Sequence, residues 1–104
     1  MKFKELKENI DKISKKIFDI KTETKEKSGI DFFKLDIWIN DEYDDRGFWH
    51  VIYSNESLEW MQKCLSAQIN TSYIDYNEDE EVFIRIDILG AYKIDKIEDL
   101  EKEK

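Results

Sequence analysis

Apolar side chains open the chain at a helical spacing. Phe3, Leu6, Ile10, Ile13, Ile17 and Ile20 are separated by three and four residues in turn. That period gathers them on one side of an α-helix and predicts a helix over about residues 2–27, within an N-terminal helical segment 1–28. Glu8–Lys12, Asp11–Lys15 and Glu23–Lys27 add acid-before-base pairs one turn apart, and Ser28-Gly29 supplies a stop, because glycine accepts the left-handed cap.

The period then changes to two. Phe33, Leu35, Ile37 and Ile39 alternate with Phe32, Lys34, Asp36 and Trp38, which predicts a half-buried strand. After Gly47 the run Phe48–Tyr53, rich in aromatic and β-branched residues, predicts its hairpin partner across a loop of about residues 40–46. Ser54 or Asn55 can cap a second helix, with Leu58, Met61, Leu65 and Ile69 as its buried face. Thr71–Tyr76 and Val82, Ile84, Ile86 and Ile88 read as a second hairpin, with Gly90 at its end. Ile94, Ile97 and Leu100 suit a short amphipathic helix or a frayed tail over 94–104. The expectation is one domain, 1–104, of α+β class. Its order is α-β-β-α-β-β, and a four-stranded, mainly antiparallel sheet spanning 29–93 is packed by helices in two layers.

Charge changes the picture because it is unevenly placed. Residues 1–28 hold nine Lys against six acids, a net +3, whereas residues 29–104 hold eight Lys or Arg against nineteen acids, a net −11. Two runs dominate, Asp41, Glu42, Asp44, Asp45 and Glu78, Asp79, Glu80, Glu81, each at a predicted hairpin tip. By sequence only Arg46 stands close enough to offset them. Such a surface is a poor ligand for nucleic acid, whose binding needs cations, and a good one for a basic protein. Tyr43, Trp49 and Tyr76 lie beside the runs, and aromatic residues commonly anchor interfaces. These eleven residues form the candidate partner-binding set.

Catalytic and metal chemistry find little here. His50 is the sole histidine and sits within a predicted strand, with no nucleophile at a telling spacing. Cys64 is the sole cysteine, placed mid-helix beside Trp60 and Met61, where nothing lowers a thiol pKa; alone it forms no intramolecular disulfide. An EF-hand register starting at Asp41 meets Tyr43 and Arg46 at its third and sixth positions; one starting at Asp75 meets Glu80 and Ile86 where glycine and glutamate are required. No metal site and no cofactor is expected. The N-terminus lacks an apolar run of signal-peptide type and no stretch is apolar enough to span a bilayer, so a cytoplasmic protein is expected. Abundant Lys, Ile, Asn and Glu with no proline suggest an AT-rich bacterial or phage genome.

One stretch carries a family resemblance. Val51-Ile52, Asn55-Glu56-Ser57 opening a helix, Ser66-Ala67 late in it, and Tyr76 followed by Glu78–Glu81 and Phe83 resemble the small acidic anti-CRISPR proteins that inhibit Cas9. The resemblance implies a helix, an antiparallel sheet and further helices, with Asp79 and Glu80 matching the acidic run that takes the place of duplex DNA. The chain differs in its longer first helix and in continuing as a strand after Val82. The leading expectation is a non-enzymatic acidic inhibitor, anti-CRISPR-like or toxin-immunity-like, that occludes a basic nucleic-acid-binding surface and acts as a monomer. The alternatives are a small hydrolase or nuclease using His50 with carboxylates, and a homo-oligomeric adaptor joined through the first helix.

Overall fold

A computed structural model describes residues 1–39, 48–72, 77–87, 91–94 and 97–100. The chain adopts the α+β class, with helices packed on an antiparallel sheet.

The N-terminal stripe folds as two helices rather than one: α1 spans Phe3–Glu8 and α2 spans Ile10–Ser28. Asn9 makes the break. Its backbone N–H bonds to the Leu6 carbonyl at 3.2 Å, while its side-chain amide takes the Glu5 carbonyl at 2.7 Å. The side chain thus occupies the acceptor that a continuous helix would give to the Asn9 backbone, in the way Asn competes with helical bonding. The stripe itself is kept: Phe3, Leu6, Ile13, Ile17 and Ile20 are buried and Ile10 packs against them. Gly29 closes α2 with φ of 67°, its N–H on the Lys25 carbonyl at 3.0 Å.

Strands β1 (Phe32–Ile39), β2 (Phe48–Tyr53), β3 (Val82–Asp87) and β4 (Ala91–Ile94) pair in the order β2-β1-β3-β4, each neighbour antiparallel. Helix α3 spans Leu58–Ser72 and buries Met61, Leu65 and Ile69. One sheet face, with Phe33, Leu35, Ile52, Val82, Ile84, Ile86 and Ile94, meets the helices in a single core.

Three expectations need correction. The cap of α3 is Ser57, whose hydroxyl accepts the Trp60 N–H at 3.1 Å, because Ser54 still belongs to the ladder through its N–H bond to the Asp31 carbonyl at 2.7 Å. Thr71 and Ser72 end α3 instead of starting a strand; the Thr71 hydroxyl donates back to the Ala67 carbonyl at 2.8 Å, and residues 73–76 lie outside the described set. The strand that pairs with β3 is therefore β4, which takes Ile94 out of the expected terminal helix and leaves a 3₁₀ turn at Ile97–Leu100.

Candidate functional site

Antiparallel pairing decides which loops meet. In the register Ile39 lies opposite Val82 and Ile37 opposite Phe48, and both β2 and β3 run against β1. The end of β1 and the starts of β2 and β3 therefore share one end of the sheet. Segment 40–47 joins Ile39 to Phe48, and Glu81 immediately precedes Val82, so the two acidic runs are tethered to the same end. Asp41, Glu42, Tyr43, Asp44 and Asp45 themselves, with Tyr76, lie outside the described residues.

The second run is built onto the start of α1. Asn77 starts a turn, its side-chain oxygen accepting the Asp79 N–H at 2.9 Å and its carbonyl the Glu80 N–H at 3.1 Å. The Glu80 and Glu78 carbonyls then accept the N–H groups of Phe3 and Lys4 at 2.8 and 3.0 Å. These are first-turn amides that a helix leaves without internal partners. The Lys2 N–H goes to Glu5 Oε1 at 2.9 Å, the reciprocal half of a capping box.

Charge follows the backbone. The Met1 ammonium, buried, donates to the Val82 carbonyl at 3.2 Å and lies 3.6 Å from Glu81; Lys2 Nζ lies 3.5 Å from Glu81, and Lys7 Nζ 3.5 Å from Glu78. Lys2 Nζ also donates to the Asp79 carbonyl at 3.1 Å. The expectation that only Arg46 offsets the runs is thus corrected: cations more than seventy residues away in sequence return to Glu78 and Glu81. The exposed pairs made by Lys2 and Lys7 contribute roughly 0–1 kcal/mol each, so their effect is mainly on the local field. Asp79 stays exposed, and among the described residues no cation pairs with its carboxylate. Glu80 is half-buried.

Trp49 stands in β2 opposite Asp36, and His50 opposite Leu35. Cys64 borders a small apolar void with Ile17, Leu35, Ile52, Met61 and Leu65. Burial first, and the Glu56 charge second, push its thiol above the ordinary value, the opposite of an activated nucleophile. Among the described residues no group of three or more His, Cys, Asp or Glu could hold a metal ion, and no helix is long and apolar enough to cross a membrane.

Sequence reasoning missed two ionic features. On the open sheet face Asp36 is almost fully buried, with Arg85 Nη2 donating to Oδ2 at 3.3 Å and Lys34 Nζ 3.4 Å from Oδ1. A carboxylate in the middle of an alternating strand was the available signal, but naming Arg85 required the register. Lys21, also buried, donates to the Glu56 carbonyl and lies 4.3 Å above the Phe18 ring. Burial lowers its pKa and the Glu56 charge partly restores it.

Comparison with family models, with curated proteins and with solved structures finds no match to this chain.

Proposed function

We propose that the protein is a non-enzymatic inhibitor whose acidic sheet end occludes a basic, nucleic-acid-binding surface of a nuclease or other effector. The observation that carries this reading is the Ile39–Val82 pairing, which tethers both acidic runs to one end of the sheet. Asp41, Glu42, Asp44 and Asp45 join Asp79 there as the contact charges, with Tyr43, Trp49 and Tyr76 as neighbouring aromatic anchors. Glu78 and Glu81 are assigned instead to holding α1 against β3, through their pairs with Lys7, Lys2 and the Met1 ammonium. Such a protein works in the cytoplasm as a monomer, without a cofactor and without touching nucleic acid, in the manner shared by anti-CRISPR and toxin-immunity proteins.

Electrostatic complementarity acts chiefly on encounter, so the inhibitor's association should be salt-sensitive. The test replaces Asp41, Glu42, Asp44, Asp45 and Asp79 by their amides and leaves Glu78 and Glu81 in place. The circular dichroism spectrum and melting temperature should hold, while capture of the partner from source-cell lysate at low salt falls by roughly tenfold or more. A partner held equally by both forms at low and high salt would falsify the proposal.

A further inference from the structure

The apolar stripe keeps its three-four spacing from Phe3 to Ile20, and no proline or glycine stands between them. That period asks for one helix, yet the backbone makes two, α1 and α2, with a single residue between. At that residue, Asn9, φ is −122° and ψ 24°, outside the helical range. A continuous helix would return the Glu5 carbonyl to the Asn9 N–H and the Leu6 carbonyl to the Ile10 N–H. In the bent form Asn9 takes both carbonyls, the first with its side-chain amide and the second with its backbone.

The arm formed by residues 1–8 is docked on distant residues. Lys2 makes an isolated antiparallel bridge with Glu81, and the Phe3 and Lys4 N–H groups bond to the Glu80 and Glu78 carbonyls. Met1 and Val82 exchange both main-chain bonds, while Lys2 and Lys7 pair with Glu81 and Glu78. Phe3 and Leu6 are buried in the same core as Val82 and Ile84. These contacts join residues more than seventy apart in sequence, so nothing in the docking itself requires that both sides belong to one chain.

We infer that α1 is an exchangeable arm with Asn9 as its hinge, and that the partner it fits is a second copy of this chain. In the exchanged dimer α1 and α2 run as one helix. The straightened arm leaves its own residues 77–82 and docks on those of the copy, which returns its own arm. An undocked arm would put Phe3 and Leu6 in water; exchange buries them again and remakes every main-chain bond and ion pair. A partner of other sequence would have to reproduce the Glu78–Val82 surface, and a second copy carries it already. The dimer alone regains the helical bonds at each hinge. Against that stands lost translational freedom, so exchange is a high-concentration form. The inference rests on the break at Asn9 and not on the acidic-end reading, and the monomeric inhibitor proposed above is the unexchanged form.

The test refolds the chain from denaturant at high protein concentration and reads the dimer fraction by sedimentation. Asn9→Ala removes the side-chain competitor for the Glu5 carbonyl and favours helix at both hinges, so the dimerisation constant should rise roughly tenfold or more. Asn9→Gly lacks the same amide but disfavours helix, so it should dimerise roughly tenfold or more weakly than Asn9→Ala. The arm's destination is read separately. One chain carries Lys2→Cys and another Glu81→Cys, both with Cys64→Ala, and the two are refolded together and oxidised. Bridge partners lie within disulfide reach, so exchange should give a 2-to-81 link between unlike chains, identified by mass spectrometry. An Asn9→Ala chain that stays monomeric at millimolar concentration would overturn the inference. So would a dimer that the glycine variant forms as readily as the alanine variant, or one without the 2-to-81 link. None of these outcomes touches the acidic-end reading, which the amide substitutions test.

Discussion

Leu35 and Asp36 are neighbours on β1, equally hidden, and hidden by different chemistry. Leu35 is 2% exposed and faces the helices, among Ile17, Ile52 and Met61. Asp36 is 5% exposed on the opposite face, where Arg85 and Lys34 hold it. The first burial is non-directional and proportional to area; the second depends on two cations reaching one carboxylate. The covered face can therefore tolerate a change of shape better than a change of polarity. The open face is sensitive to charge at Asp36, where a neutral side chain removes the carboxylate that two cations reach. There, Phe32 and Tyr53 remain largely exposed with ring centroids 6.2 Å apart, so apolar surface is left in water while a charge is taken out of it.

The contrast can be broken first on the covered side. Leu35→Ala should cost about 2–5 kcal/mol, read from denaturant unfolding, since Leu35 is buried against Ile17, Ile52 and Met61 and its truncation leaves a cavity among them. On the open side Asp36→Val should cost about 1–3 kcal/mol, below the cost for a fully enclosed pair, because Arg85 is about one-third exposed and recovers solvent. Changing Asp36 and Arg85 together to valine should cost less than Asp36→Val alone. A double variant that is the less stable of the two would show that the ion pair itself, not the arginine left half-buried beside a valine, carries the stability.

Ser14 sharpens the comparison with the opposite sign. Its hydroxyl is fully buried on α2, and among the described residues it has no hydrogen-bond partner. Ser14→Ala should stabilise the protein by about 1 kcal/mol, visible as a raised melting temperature. The smallest effect concerns Cys64. Its thiol is raised in the folded state, so the stability it contributes is complete below the unfolded-state value and is lost as pH climbs through the folded one. Between neutral pH and pH of about 10, the wild type should lose slightly more stability than Cys64→Ala, and its alkylation at pH of about 8 should be slower than that of a free thiol. Faster alkylation would mean the helix face around Cys64 opens to solvent.

The chain's local patterns determined a good deal. The three-four stripe of α2, the alternation of β1 and β3, the apolar run of β2 and the buried face of α3 all follow from periods that neighbouring residues impose on one another. Gly29 as the stop of α2 was legible for the same reason, since a left-handed residue is a local demand. Tertiary structure alone decided that β4 rather than 71–76 pairs with β3, that Asn9 divides the first stripe, and that Arg85 faces Asp36. It also brought Lys2 and Lys7 to an acidic run that looked unopposed in one dimension. Local periodicity reports which side of an element is buried. Ion pairs and strand partners depend on which distant elements that burial brings together, and a linear pattern holds no distance between residue 7 and residue 78.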